Sequence, residues 1–513
     1  MKAKCLFEIL VLGLGLTLAL LAGLQMAQAT PAATNLFVKS DGTGSTCTQG
    51  APCALQIALS QAVNGDTIYV AEGVYTGTGA AAITLTRSIT LYGGWNGAVS
   101  FQIIRDPALY PSVLNGEGNR RVVHIRGDIT PTLDGFIIAN GNATGLLANC
   151  PSNPDGCGGG IFVFDAHPII VNNTITNNVA AITTTGNPTV AMGFGGGLYL
   201  TNADRAVISG NLIISNAAST AYWGSGGGLY LWGSASGMQV QFNRVLSNSA
   251  TTTDAVGYGG GIYGGPDGAL IQGNVVAGNR ANSVGTGFGA GLFQYGGSAH
   301  YLGNLVQENS GSTAVELWYS WARLEGNRVV DNTTGIGIDL VERAGGGPTL
   351  INNVVARSGD KAFSAYGYNE SKISSATLLH NTLVGAGSGY GVYGSFATLY
   401  LTNTIVASTT WGITNTTPAS TTIVADHTMF WANTNNGIQG TNPLSGDPAF
   451  VNPADSNYHL GAGSAAIDAG APTPVTTDID GEPRPDCVFW DIGADEVQGS
   501  PCWRVRLPVV LRN

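Results

Sequence analysis

One short pattern recurs through the middle of this chain and limits what it can fold into. An apolar pair leads to a small residue and an asparagine, a β-branched residue stands two places on, and a second asparagine stands five places on. It reads Asn173 to Asn178, Asn211 to Asn216, Asn243 to Asn248, Asn274 to Asn279, Asn304 to Asn309 and Asn327 to Asn332, with weaker copies at Asn353, Asn381 and Asn403. The anchors lie roughly 22 to 38 residues apart. A period of that size belongs to arrays in which each repeat is one structural unit stacked on the next.

Columns of the repeat give the direction of the side chains. Three places before the anchors stand Ile170, Ile208, Val240, Ile271, Tyr301, Leu324, Leu350, Leu378 and Tyr400, and two places after stand Ile175, Ile213, Val245, Val276, Val306, Val329, Val355, Leu383 and Ile405. Both columns are apolar and are predicted to face an interior. Immediately before the anchors, Asn172, Gly210, Gly273, Gly303, Gly326 and Asn352 are residues that accept positive φ, so a sharp bend is expected there. Strands meeting at such bends, with stacked asparagines pairing between coils about 4.8 Å apart, describe a parallel β-solenoid. The 75 glycines and 10% charged residues suit short strands and tight turns and disfavour a helical repeat.

A third strand opens each coil. Gly158 to Gly160, Gly195 to Gly197, Gly226 to Gly228 and Gly259 to Gly261 each precede an aliphatic and then an aromatic residue, and Gly289 to Gly291 does so with one change. Alternation with inward Ile161, Leu198, Leu229, Ile262 and Leu292 sends Phe162, Tyr199, Tyr230, Tyr263 and Phe293 outward, with Trp232 and Tyr295 on the same face. Such a file has two readings, a platform for sugar rings or mutual stacking that holds the coils together.

These GGG-aliphatic-aromatic strands and GNxVxxN corners resemble the right-handed parallel β-helix proteins of the pectate-lyase-like superfamily, over about residues 35 to 408. The resemblance implies an all-β, right-handed single-stranded parallel β-helix. It leaves the activity open, since that fold carries lyases, hydrolases, epimerases and non-enzymatic surface proteins.

The ends differ from the body. Residues 1–29 have the lysines, apolar run and Ala27-Gln28-Ala29 site of a secretory signal peptide, or of an uncleaved anchor. Residues 30–112 read as an N-terminal cap with first coils, including a short amphipathic helix over 54–63, and residues 113–440 as the β-helix repeats. In an exported chain, proximity pairs Cys47 with Cys53, Cys150 with Cys157 and Cys487 with Cys502. Residues 441–502 are acidic, and DPAFVNPADSNYHLGAGSAAIDAG, DIDGEPRP and DIGADE resemble the choice-of-anchor Q module of secreted β-helix proteins. That module is expected to close the end of the stack, with 503–513 as a terminal tail.

A net charge of −11 argues against nucleic acid as partner. Charge gathers late, at Glu308, Glu316, Glu325, Asp331, Asp339, Arg343, Arg357 and Lys361, with Trp318 and Trp321 among them. Asp331, Asp339, Arg343 and Lys361 are the candidate catalytic groups of a uronate lyase or a hydrolase, against a plain reading as surface ion pairs. Tyr199, Tyr230, Trp232, Tyr263, Phe293, Trp318 and Trp321 are the candidate sugar-binding rings. Asp478, Asp480 and Glu482 offer oxygens that suit Ca²⁺ or a plain acidic turn, and no cofactor is required. The expectation is a secreted, monomeric protein with no transmembrane helix after signal removal, which binds extracellular polysaccharide or adheres to surfaces. The alternatives are a polysaccharide lyase or hydrolase acting on acidic glycans, and a purely structural stalk.

Overall fold

The computed structural model describes residues 33–146, 150, 155–182, 191–342, 347–486 and 488–499, the side chain of Glu342 excepted. Met1–Thr34 and Asn35–Asn513 are separate units, and the second holds the repeats. The signal segment, Arg343, Cys487, Cys502 and the tail fall outside the described residues.

Each regular coil contributes three strands. Leu198–Thr201 lies in a 13-stranded sheet (face 1), Val207–Ser209 in a 14-stranded sheet (face 2) and Leu212–Ile214 in another of 14 strands (face 3). All three sheets are parallel throughout, and corresponding residues of successive coils are paired: Leu198 with Leu229, Ile208 with Val240, Ile213 with Val245. The chain is a right-handed parallel β-helix. The bore is one continuous apolar core running from Leu36 to Phe430. Helix Leu55–Gln61 lies at its start with Leu55 and Ala58 buried, and Cys47 is bonded to Cys53 and Cys150 to Cys157.

Two asparagine ladders line the corners on either side of face 3. Asn211 donates from Nδ2 to Asn243 Oδ1 at 3.0 Å and Asn243 to Asn274 Oδ1 at 3.0 Å, and the same oxygens also accept the backbone N–H of the preceding asparagine. The second ladder repeats this from Asn178 to Asn332. Every ladder amide is buried, so its donors and acceptors must be met inside the protein. The predicted bends hold: Gly210 has φ 66° and Asn352 φ 53°.

The anchor column shifts by one residue at its end. Asn403 has φ 52° and occupies the bend, not the ladder, because Leu401 pairs with Leu378 and places Thr404 where Asn381 stands one coil earlier. Tyr400 is consequently exposed, and Val406 rather than Ile405 enters the bore.

The larger correction concerns the ring file. Phe162, Tyr199, Tyr230 and Phe293 do point away from the bore, but all four are buried, and Tyr263 is half-buried. After each second corner the chain leaves the coil and returns over face 1, forming a small lateral sheet of Gly156–Cys157, Gly193–Phe194, Gly224–Ser225 and Gly257–Tyr258. Phe194 stacks on Tyr230 at 5.0 Å from this second layer. The glycines permit the overlap: a Cβ on Gly224 would lie 1.6 Å from Ala250 O. Cys157, Phe162, Tyr199 and Tyr230 thus form a second core, and mutual stacking is the reading that holds for this part of the file.

The acidic C-terminal segment does not close the stack. The last coil strand is Leu444–Ser445, after which the chain doubles back along the outside of face 3. Tyr458, Leu460, Ile492 and Ala494 pack there on Val330, Val354, Val384 and Ile405. Polar contacts fix the docking: Asn352 Nδ2 donates to Thr477 O (2.7 Å), Asn403 Nδ2 to Ala471 O (2.8 Å), and buried His380 meets Thr473 Oγ1 at 2.8 Å. Arg484 is buried beside Glu496 at 3.4 Å.

Candidate functional site

The lateral layer ends at Tyr258, with Phe288 bridged to it. Ladder spacing shortens from 38 residues at Asn173 to 23 at Asn304, so the coils that follow have no length left for an excursion. Face 1 instead carries long uninterrupted strands, Ser310–Trp318 and Thr333–Glu342, followed by Lys361–Gly367, Tyr390–Ser395 and Trp411–Asn415. Among the described residues, the lateral sheet does not extend over its outer surface here.

Where the roof stops, the column changes chemistry. Tyr230 is paired with Tyr263, Tyr263 with Phe293, Phe293 with Glu316, Glu316 with Asp339, Asp339 with Ser364 and Ser364 with Tyr393. Two carboxylates therefore stand side by side, one strand spacing apart, at the foot of a step whose wall is aromatic. Tyr258 and Phe288 each lie 5.9 Å from Trp318, and Phe293 lies 5.3 Å from it. Trp318 Nε1 donates to Glu316 Oε1 at 2.5 Å. Glu316 is 1% exposed and Asp339 8%, and Glu316 Oε2 and Asp339 Oδ1 are buried without a hydrogen-bond partner.

Burial pushes Glu316 well above the ordinary carboxylate range, and the neighbouring Asp339 adds to the shift. Burial also raises Asp339, to about 6, while Ser364 and Lys361 favour its charged form. Both carboxyls therefore hold their protons more tightly than an exposed carboxyl does, Glu316 the more so. The folded protein holds protons that the unfolded chain releases near pH 4, so Asp339's contribution falls as pH rises from about 4 through about 6, and that of Glu316 goes on falling above this. Glu316→Gln, which keeps the shape and removes the titration, is expected to be more stable than the parent at pH 8 and little different at pH 4. Urea unfolding at the two pH values measures the difference.

Beyond the pair, the open face is lined with rings. Lys361 Nζ lies 4.9 Å from the Tyr393 ring centre and 5.9 Å from Tyr390. Tyr366 and Trp411 are exposed, and Tyr390 and Tyr393 half-exposed. A second set, Trp232, Tyr295 and Trp321, stands exposed near the turn into face 2, with Trp232 and Tyr295 6.4 Å apart.

Asp339 and Lys361 therefore share a face, whereas Asp331 does not join them. It lies at the second corner, bound by Arg357 at 2.6 and 2.8 Å and by Ser456 Oγ at 2.7 Å, and so ties the C-terminal segment to the coils. Glu316, the other half of the pair, was not singled out among the candidate catalytic residues. Its register with Phe293 gives it away, since it is the position at which the aromatic column turns acidic.

The DIDGE turn is also arranged differently from expectation. Asp478 is buried, and its oxygens accept the backbone N–H groups of Asp480, Glu482 and Glu496 at 2.9, 2.9 and 3.1 Å. Asp480 instead meets His459 Nε2 at 2.7 Å, and with Asp495 these side chains approach within 4.8 Å of one another. Among the described residues, the carboxylates that come within this distance of each other and of His459 are Asp480 and Asp495, not Asp478 and Glu482.

Among known proteins, a family model described as right handed beta helix region matches residues 113–310. No curated protein matches the chain. Solved structures with similarity include the pectate lyase Pel9A, at 15% identity over 90% of this chain and 96% of that one, with a TM-score of 0.41. A tailspike protein of E. coli bacteriophage HK620 in complex with a pentasaccharide is 12% identical over 80% of this chain and 70% of that one, TM-score 0.31. PfbA, a surface adhesin of Streptococcus pneumoniae, is 9% identical over 78% and 90%, TM-score 0.24.

Proposed function

We propose that this is a secreted, surface-associated protein that binds a glycan chain along the unroofed part of face 1, between Trp318 and Trp411. The observation that carries the reading is the end of the lateral layer, beyond which rings and hydrogen-bonding side chains of successive coils stand together on an open sheet. Sugar rings present apolar faces and hydroxyl edges, and Tyr366, Tyr390, Tyr393 and Trp411 offer the matching surfaces. The likeness of residues 1–29 to a secretory signal peptide, and that of residues 441–502 to the choice-of-anchor Q module, support export and surface attachment. The module's docking along face 3 leaves face 1 free for a ligand.

Affinity electrophoresis of the mature protein in gels containing xylan, arabinan, galactan, mannan, polygalacturonate or alginate tests this. At least one polysaccharide is expected to retard the protein, and Tyr393→Ala combined with Trp411→Ala is expected to weaken retardation about thirtyfold, each ring contributing about 1 kcal/mol. Equal retardation of parent and variant would refute this site.

A further inference from the structure

Glu316 and Asp339 are costly to the fold as they stand. Two carboxylates placed in register on neighbouring strands repel when both are charged, and each has an oxygen that is buried and unpartnered. Phe293, directly paired with Glu316, shows that the same column takes an apolar ring one coil earlier. Nor do the described residues of the docked C-terminal segment engage them, as they engage Asp331, His380 and Asn403. The pair also sits where a chain lying on the open face would meet the aromatic step.

We propose that Glu316 and Asp339 are the acid and the nucleophile of a hydrolytic centre for a neutral glycan laid along the open face, with Trp318 as its cover. This rests on the glycan reading above and deepens it. The paired register sets Glu316 and Asp339 on neighbouring strands about 4.8 Å apart, so their side chains leave the sheet as near neighbours. Such neighbours suit the arrangement in which one carboxyl attacks directly, rather than the wider one that leaves room for a water between them.

The chemistry balances on these two groups. In the first step an oxygen of Asp339 bonds to the anomeric carbon, the bond from that carbon to the glycosidic oxygen breaks, and the proton of Glu316 passes to the departing oxygen. In the second, a water oxygen bonds to the anomeric carbon, the ester bond to Asp339 breaks, and the water's proton goes to Glu316. One water is consumed, one glycosidic bond is cleaved, and both side chains return to their starting forms. The unequal shifts fit the roles, since the more strongly raised group holds the proton.

Substrate class follows from the charges. A uronate placed against this pair would bring a third carboxylate, and the described residues of this stretch of face 1 answer with a single cation, Lys361. A neutral sugar adds no charge. Trp318 hides the pair in this structure, its indole folded onto Glu316. In its column Tyr295, one coil before, and Tyr366, two coils after, both face solvent, with half-buried Val341 between, so the outward direction is open to a ring at this position. A sugar stacked on the turned indole would lie over the uncovered carboxylates.

The test incubates the mature protein with xylan, arabinan, galactan, mannan, polygalacturonate and alginate, reading both reducing ends and the absorbance of unsaturated products. Reducing ends without unsaturated products are expected from at least one neutral polysaccharide. Glu316→Gln and Asp339→Asn are each expected to lower the rate about a thousandfold or more, while both variants stay retarded in the polysaccharide gel and Glu316→Gln is the more stable protein at pH 8. Failure of the parent to cleave any neutral polysaccharide, unsaturated products, or an undiminished rate in Glu316→Gln would each overturn the proposal. If the parent is retarded yet cleaves nothing, the centre falls and glycan binding stands; if it is not retarded either, both fall.

Discussion

Asn243→Ala is expected to destabilise the protein by about 4 kcal/mol. The Asn243 side chain donates to Ile208 O at 2.8 Å and Asn274 Oδ1 at 3.0 Å, and its Oδ1 accepts both the backbone N–H and the Nδ2 of Asn211 at 3.0 Å. Truncation strands two donors on Asn211 and the carbonyl of Ile208 in a site closed to water. Each orphaned buried group costs about 1 to 3 kcal/mol, and the lower end applies where a neighbour takes up part of the load. Gln239→Ala, at an exposed position of face 2 in the same coil, is expected to change stability by less than about 0.5 kcal/mol. Urea unfolding followed by far-UV circular dichroism compares the two. A repeat array can unfold piecewise, so a broadened transition centred on the 243 coil is part of the expected result.

The ladder was legible because its requirements are local and repeat. An asparagine at each corner, a residue able to take positive φ before it and aliphatics at fixed offsets are all visible in one dimension, and they fix the three faces. Face 3 also carried a signal that was passed over. The early strands Thr174–Thr176 and Arg244–Leu246 bury only their middle residue, whereas Val354–Ala356, Thr382–Val384 and Ile405–Ala407 are buried throughout. Strands apolar on both sides must be covered on both sides, and that change from Thr-Ile-Thr to Val-Val-Ala marks where the C-terminal segment docks. Alternation alone says that a side chain leaves the bore, not what it meets there. Whether a ring outside face 1 sees solvent depends on chain that departs at one corner and returns a dozen residues later, a tertiary fact carried by the spacing of the asparagines. Long coils roof the face and short ones leave it open. Read that way, the drop in spacing after Asn304 locates the site, and Glu316 and Asp339 become its first occupants.

The two kinds of outward ring should therefore respond oppositely to truncation. Tyr230 stacks between Tyr199 at 5.1 Å and Tyr263 at 4.6 Å and lies under Phe194 at 5.0 Å. Removing it empties the centre of the second core, and Tyr230→Ala is expected to cost about 4 kcal/mol, as large aromatic truncations in cores do. Glycan retention by whatever fraction remains folded should be that of the parent, because no ligand reaches the ring. Trp411 is exposed at the far end of the open face, so Trp411→Ala is expected to leave stability within about 0.5 kcal/mol while weakening retention. Thermal melts and affinity electrophoresis on the same two variants separate the roles. A stable Tyr230→Ala that had lost its glycan would mean that the lateral layer opens in solution, and that the buried file is a binding surface after all.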